Sequence, residues 1–150
     1  MTYTLETDVT LARPLDAVFD FFADAGNLEA ITPPELRFEI ETPLPIAMRV
    51  GARIDYRLHL YGVPFSWRTV ISVWEPGRRF VDEQESGPFG LWVHEHRFEA
   101  VSATSTRIRD VVRYRLPLEP VGRLVHPIVR AKLDRIFSYR EERVRDLLAG

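Results

Sequence analysis

Two histidines and two aspartates are the residues in this sequence best suited to acid–base or metal chemistry. His94 and His96 are two positions apart in an alternating stretch, so in a β-strand both side chains face the same side. Asp82 and Asp110 occupy the same-facing positions of the two stretches that flank it. An aspartate beside an imidazole can transfer a proton, and it can equally form a buried network that only fixes the fold. Both interpretations remain open at this point.

The His-x-His spacing also occurs in zinc sites, where a third ligand would have to come from Asp82 or Asp110. The chain contains no cysteine, which excludes a thiolate site, a disulfide scaffold and a cysteine nucleophile. No serine lies in a nucleophile-elbow pattern, and no glycine-rich phosphate loop is present. With at most two convincing ligands, we expect no bound metal, no stoichiometric zinc and no cofactor.

The elements that must position these residues follow from the hydrophobic period. Alternation predicts strands at 3–12, 36–41, 52–61, 63–74, 78–85, 90–100 and 105–116. A three-to-four-residue period predicts helices over 15–22 and 127–147, and a short helix is predicted over 27–31. Pro127 is expected either to start the long helix or to kink a slightly longer one.

Short connections between the later strands predict an antiparallel meander, because parallel neighbours need long crossovers. The apolar face of such a sheet must be covered, and the C-terminal helix carries the matching apolar stripe. The predicted fold class is therefore α+β, a curved seven-stranded antiparallel sheet around a long C-terminal helix, in the order β-α-α-β6-α. With 150 residues, the chain is expected to form one ligand-binding domain over 1–150.

Strand alternation assigns a large set of aromatic and polar residues to the concave face of this sheet. Apolar walls with a few convergent polar groups are typical of a small-molecule pocket, because a buried polar group must pair with another group, water or a ligand. We therefore predict that the ligand-binding residues are Tyr56, Trp67, Asp82, Gln84, Trp92, His94, His96, Phe98, Asp110 and Tyr114.

Composition narrows the range of partners. Twenty basic and 22 acidic residues give a net charge of −2, which does not favour nucleic-acid binding. No apolar run approaches the roughly 20 residues that a membrane span needs. The first residues carry acids and no apolar segment of a secretory leader, so a cytoplasmic location is expected. A monomer or homodimer is expected.

Several stretches together resemble the START-like helix-grip (SRPBCC) superfamily, and within it the polyketide cyclase/dehydrase-like subgroup. They are the first-helix segment 14–22, the stretches 27–34 and 74–80, and the strands over 87–98 and 110–114. The resemblance covers almost the whole chain. It implies a sheet that grips the C-terminal helix around an apolar cavity, and it supplies no catalytic residue.

Three functions follow from this resemblance and the predicted pocket. The first is binding of a small, mainly hydrophobic molecule, such as a lipid, polyketide or quinone. The second is a cyclase or dehydrase in which a cavity Asp or His moves a proton. The third is a protein-interaction module with a vestigial cavity. Access to the cavity is expected near 32–34 and 43–51, the least regular segments of the chain.

Overall fold

The computed structural model describes residues 1–118 and 120–149. Nine regular elements make up this part of the chain, besides three single 3₁₀ turns between the first helix and the second strand. They are β1 (Tyr3–Leu11), α1 (Leu15–Ala23), β2 (Glu39–Ile40), β3 (Arg53–Leu60), β4 (Val63–Glu75), β5 (Arg79–Ser86), β6 (Leu91–Ser102), β7 (Ser105–Arg115) and α2 (Gly122–Leu147).

The strands form one antiparallel sheet in the order β1-β7-β6-β5-β4-β3-β2, which confirms the predicted seven-stranded meander. Local turn chemistry explains the tight hairpins. Tyr61 and Gly62 both have positive φ, as a type I′ turn requires, and they join β3 to β4. Gly77, with φ of 73°, follows Pro76 in the turn between β4 and β5, as a type II turn requires.

Two elements between α1 and β3 differ from the sequence prediction. The helix expected over 27–31 is two consecutive 3₁₀ turns, Ala25–Asn27 and Glu29–Ile31. The strand expected over 36–41 is reduced to Glu39–Ile40, because a further 3₁₀ turn at Pro34–Leu36 precedes it. Arg37 ends that turn in the left-handed region, a conformation that no strand residue adopts.

The long helix is confirmed, but it begins earlier than the predicted start at 127. α2 starts at Gly122, and Pro127 lies inside it. Of the two roles that the sequence left open for Pro127, the structure shows the second, a proline within a longer helix. No helix in the described part of the chain is both long enough and apolar enough to cross a bilayer.

Two clusters of buried side chains hold the helices on the concave face of the sheet. One cluster packs Phe19 and Phe22 of α1 against strand residues such as Phe98, and includes Val144 near the end of α2. The other packs Phe137 of the middle of α2 with residues from β1, β3, β4, β6 and β7. Because α1 fills one end of the concave face, the space between sheet and α2 remains open towards the other end.

Candidate functional site

A cavity of about 610 Å³ lies between the sheet and α2. Strands β3 to β6 form one wall, and α2 forms the other through residues such as Val129, Leu133 and Ile136. A volume of this size is within the range of pockets that hold drug-sized ligands. The inward-facing side chains of Ile54, Tyr56 and Leu58 therefore border an open cavity.

Aromatic rings make up much of the sheet-side wall. Tyr56 and Trp67 stack across β3 and β4, with centroids 5.8 Å apart and planes at 16°. Trp92 meets Trp67 edge to face at 5.5 Å, and Phe89 lies 4.9 Å from Trp92. The Tyr56 hydroxyl lies 3.3 Å from Thr69 Oγ1, and its burial raises the pKa of this phenol. This wall presents flat apolar surfaces with few hydrogen-bonding groups.

The polar end of the cavity is formed by a pair of stacked imidazoles between two carboxylates. The His94 and His96 rings have centroids 3.7 Å apart and planes at 22°. His96 Nε2 donates to Asp82 Oδ2 at 2.5 Å, across the pairing of β5 with β6. His94 Nε2 lies 2.8 Å and His96 Nδ1 lies 3.3 Å from Asp110 Oδ1. One carboxylate therefore holds an edge of both rings.

Arg140 of α2 and Thr7 of β1 complete this network. Thr7 Oγ1 donates to Asp110 Oδ2 at 3.1 Å. Arg140 Nη2 lies 3.6 Å from Asp110 Oδ1 and 3.3 Å from His96 Nδ1. The guanidinium also lies 5.3 Å from the centre of the Phe22 ring. Because only 14% of the Arg140 side chain is exposed, its charge needs the Asp110 carboxylate beside it.

The environment shifts the pKa values of the two imidazoles in opposite directions. Burial, together with the neighbouring His96, lowers the pKa of His94 to about 4. Burial also opposes protonation of His96, but hydrogen bonds to Asp110 and Asp82 outweigh it and raise the pKa of His96. Neutral His94 then donates Nε2–H to Asp110 and keeps Nδ1 as an acceptor, 3.9 Å from Asp82 Oδ2.

Both carboxylates stay ionised despite their burial. Desolvation would raise the pKa of Asp110, but the charge of Arg140 and the hydrogen bonds from both histidines hold it well below the usual value. In the same way, the His96 hydrogen bond and the neighbouring positive charges lower the pKa of Asp82. Below pH 6.5, where its raised pKa keeps His96 protonated, these two anions face two cations, Arg140 and His96, and the network carries no net charge.

Six of the ten predicted ligand-binding residues line the cavity: Tyr56, Trp67, Asp82, Trp92, His94 and His96. The binding role assigned to them stays a prediction. Of the other four, Asp110 lies behind the imidazoles and touches the cavity only through them. Phe98 is packed against Phe19 of α1 at 5.1 Å, in the core cluster at the closed end of the sheet.

Gln84 and Tyr114 face inward as predicted but serve the scaffold. Gln84 Nε2 donates to the Phe89 carbonyl at 2.8 Å, and the Phe89 N–H donates to Gln84 Oε1 at 3.0 Å, which fixes the turn between β5 and β6. Tyr114 is fully buried, and its hydroxyl lies 2.9 Å from His126 Nε2 of α2. Neither side chain lines the cavity.

Sequence reasoning missed Arg140 and the helix side of the cavity. A signal for Arg140 existed, because it interrupts the apolar stripe of α2 between Phe137 and Val144 at helical spacing. Phe89 was also missed, since a loop position carries no alternation signal. Its place in the wall depends on the Gln84 hydrogen bonds that fold the turn back.

Asp82, His94 and His96 each offer one possible metal-ligand atom, and these atoms lie within 4.8 Å of one another. Ligation by two histidines requires the in-plane lone pairs of both rings to meet at one point about 2 Å away. Rings stacked 3.7 Å apart with planes at 22° do not converge in this way. The short His96–Asp82 hydrogen bond would also have to break. The cluster is arranged for hydrogen bonding, and a metal would require both rings to rotate.

The exposed part of the cavity lining lies at one end of α2. Tyr61 and Val63, at the turn between β3 and β4, are 58% and 51% exposed. Val121, just before α2, and Val125 of α2 also line the cavity while exposed. We call this opening the mouth. Access was expected instead near 32–34 and 43–51, where Thr32 and Met48 do line the cavity but Pro33 is fully buried.

The two ends are well separated along α2. Tyr61 donates to the Ile128 carbonyl at the mouth, whereas Arg143 donates to the Ala30 carbonyl near the closed end. Fifteen residues of helix correspond to roughly 22 Å. The mouth therefore lies on the opposite side of the cavity from α1.

A long helix held in a curved antiparallel sheet around an apolar cavity defines a helix-grip fold. Residues 11–138 match the family model described as "Polyketide cyclase / dehydrase and lipid transport". The chain belongs to that family, which confirms the resemblance recognised in the sequence. No curated protein sequence matches the chain significantly.

Solved structures share the fold at low sequence identity. The Zhui aromatase/cyclase from Streptomyces sp. R1128 has a TM-score of 0.81 at 18% identity, over 99% of this chain and 94% of that one. A START superfamily protein from Mycobacterium smegmatis has a TM-score of 0.71 at 14% identity, over 96% and 98%. The norcoclaurine synthase of Thalictrum flavum has a TM-score of 0.72 at 12% identity, over 99% and 95%.

Proposed function

We propose that this protein binds a small, mainly hydrophobic, uncharged molecule that carries a hydroxyl group. The observation that supports this most directly is the cavity of about 610 Å³, with aromatic walls and one polar end. A collapsed cavity would have favoured an interaction module, and the cavity is not collapsed.

The walls favour a planar or elongated apolar ligand. Trp67 and Trp92 meet edge to face, so they offer two differently oriented apolar ring surfaces to a molecule that lies against both. Aromatic ligands gain about 0.5–1.5 kcal/mol per well-placed ring contact beyond the area they bury. Lipid, polyketide and quinone skeletons all meet this requirement.

The polar end favours a hydroxyl over a carboxylate. Asp82 and Asp110 balance Arg140 and His96 when His96 is protonated, and the network is net negative when His96 is neutral. An anionic ligand would bring a further charge without a partner, at a cost of several kcal/mol. The His94 ring is neutral and lines the cavity, so its Nδ1 is a hydrogen-bond acceptor. A ligand that binds to it must supply a donor.

A matched displacement series tests this proposal. A fluorescent apolar probe, N-phenylnaphthylamine, is bound first and then displaced by naphthol, methoxynaphthalene or naphthoate, which share one ring system. We expect naphthol to displace the probe at the lowest concentration and naphthoate at the highest. In His94→Phe the advantage of naphthol over its methyl ether should largely disappear, while the probe still binds.

His59→Gln is the control, because His59 is on strand β3 of the same sheet but does not line the cavity. It should leave the whole series unchanged. If no member of the series nor the probe binds the wild type, the binding proposal is wrong. If naphthoate binds best, the assignment of an uncharged ligand is wrong.

A second candidate function is cyclisation or dehydration of a polyketide-like substrate. It is supported by two adjacent imidazoles whose pKa values are shifted in opposite directions. Neutral His94 could take a proton from carbon beside a carbonyl, and protonated His96 could pass a proton through Asp82, which lines the cavity, to a departing hydroxyl that is released as water. The Zhui neighbour is an aromatase/cyclase by name. With a pKa of about 4, His94 is a weak base at neutral pH, so binding is proposed first. Product analysis with a reactive poly-β-ketone, comparing wild type with His94→Phe, distinguishes the two.

A further inference from the structure

The first two turns of α2 expose an apolar face where a helix of this kind should be polar. Val121, Leu124, Val125 and Ile128 are 60%, 81%, 45% and 59% exposed. Their spacing of i, i+3, i+4 and i+7 places them on one side of the helix. Further along α2, most exposed positions are polar, among them Ser138 and Glu142, and the large apolar side chain exposed there is Leu147 at the last position of the helix. The exposed apolar side chains are therefore concentrated at the start of the helix.

Other exposed apolar residues extend this face around the mouth. Leu118, just before α2, is 80% exposed, and Tyr61 and Val63 lie opposite on the turn between β3 and β4. Tyr61 links the two segments, because its hydroxyl donates to the Ile128 carbonyl at 3.1 Å. We call these exposed apolar residues of 61–63, 118 and 121–128 the rim. Single exposed apolar residues are ordinary, but a contiguous patch marks an interaction site.

The charges around the rim indicate its occupant. Residues 59–66 contain no charged side chain, and residues 117–134 contain Arg123, Arg130 and Lys132 against Glu119 and Asp134, so this part of the sequence keeps a net positive charge although Arg130 pairs with Asp134. Lys132 lies one turn beyond Ile128, with Nζ 5.7 Å from the Tyr61 ring centre. In a symmetric dimer built on the rim, these cations would face their own copies, which is unfavourable. An anionic lipid surface suits both features, since apolar side chains enter the acyl boundary and cations meet the headgroups.

We propose that the rim docks the protein on the surface of a membrane that contains anionic lipids. The mouth lies within the rim, so docking places the cavity opening directly against the bilayer. A sparingly soluble molecule could then pass between bilayer and cavity without crossing water. This use of the site rests on the proposed function, whereas docking itself does not require the cavity to bind anything.

Flotation with lipid vesicles tests the docking. We expect the wild type to float with phosphatidylcholine vesicles that contain one-third phosphatidylserine, to float less with pure phosphatidylcholine, and to be released from the former by high salt. The double variant Leu124→Ser, Ile128→Ser should weaken the partition coefficient by roughly tenfold or more, because two large apolar side chains are lost. Both residues are exposed and neither lines the cavity.

Val101→Ser is the matched control, because Val101 is 59% exposed, like Ile128, but lies at the end of β6. It should float as the wild type does. Absence of wild-type flotation with either vesicle, or equal flotation of the double variant, would overturn the proposal. A soluble dimer, or a complex with an acidic protein, would also overturn the proposal if the double variant abolished that association and the wild type did not bind vesicles.

The same double variant separates this proposal from the proposed function. It should still bind N-phenylnaphthylamine with wild-type affinity, which also shows that it is folded. Flotation without probe binding would remove the binding function and keep the docking. Probe binding without flotation would remove the docking and keep the binding function.

Discussion

Asp82 and His96, on neighbouring strands, are joined by a hydrogen bond of 2.5 Å at the polar end of the cavity. His96 is held on its other edge by Asp110, so it lies between two carboxylates. His94 stacks on it but carries no proton at Nδ1, because its pKa is lowered to about 4. The pKa values of two adjacent histidines are therefore shifted in opposite directions.

His94 should destabilise the protein as the solution is acidified. Its pKa is about 4 when folded and 6.5 ordinarily, so between these values the unfolded chain binds a proton that the folded chain does not. The gap corresponds to roughly 3 kcal/mol of unfolding free energy, lost progressively as pH falls from 6.5 to 4. Urea unfolding across this range should show a shallower decline in His94→Gln. Parallel curves for the two proteins would contradict the buried, neutral state of His94.

His96 should have the opposite effect at higher pH. Because its pKa is raised in the folded protein, its contribution to stability is complete below 6.5 and is lost as pH rises through the raised value. The wild type should therefore lose stability on the alkaline side of 6.5, and His96→Gln should not. NMR titration of the two imidazoles provides a direct check. A His96 pKa below 6.5 would refute this expectation.

Removal of the Asp110 carboxylate should be costly for the fold. Asp110→Asn leaves the nearly buried Arg140 guanidinium without its anion, and such losses typically cost about 3–5 kcal/mol. Denaturant unfolding measures the change. Asp8→Asn is the control, because Asp8 pairs with Arg107 on the exposed face of the sheet and its loss should change stability little. Similar losses in both variants would show that burial does not control the Asp110 contribution.

Substitutions of Phe98 and Phe89 should have different effects, because Phe98 belongs to the core and Phe89 to the cavity wall. Phe98→Ala removes a ring from the cluster around α1 and should cost about 3–5 kcal/mol, with unchanged probe affinity where the protein is folded. Phe89→Ala removes part of the cavity wall, so it should alter probe affinity with a smaller loss of stability. Thermal unfolding and probe titration of the same samples test both. A loss of probe affinity in folded Phe98→Ala would show that Phe98 contributes to the binding site.

Purified protein should contain no stoichiometric zinc. Asp82, His94 and His96 supply three potential ligand atoms, but the stacked rings do not direct their lone pairs to one point. Elemental analysis after purification without chelator tests this. About one zinc per chain, lost in His94→Ala, would show that the rings rotate to bind metal.

The sequence by itself determined the sheet, the long helix and most of the inward-facing residues. Alternation is a local property of the chain, so it placed Trp92, His94 and His96 on one face without knowledge of what lay opposite. It also paired β5, β6 and β7 in order, since their turns are too short for any other arrangement. Alternation and strand order together therefore predict that the two imidazoles and the two carboxylates lie close together.

Only the tertiary structure decided which inward residues meet the cavity and which meet the core. Phe98 and Trp92 share one face of one strand, yet α1 covers Phe98 and leaves Trp92 open. Arg140 joined the polar network because α2 crosses the sheet at that point, and the mouth formed where the exposed start of α2 lies beside the turn between β3 and β4. Such contacts depend on how helices lie across a sheet, which the period of a single strand does not encode.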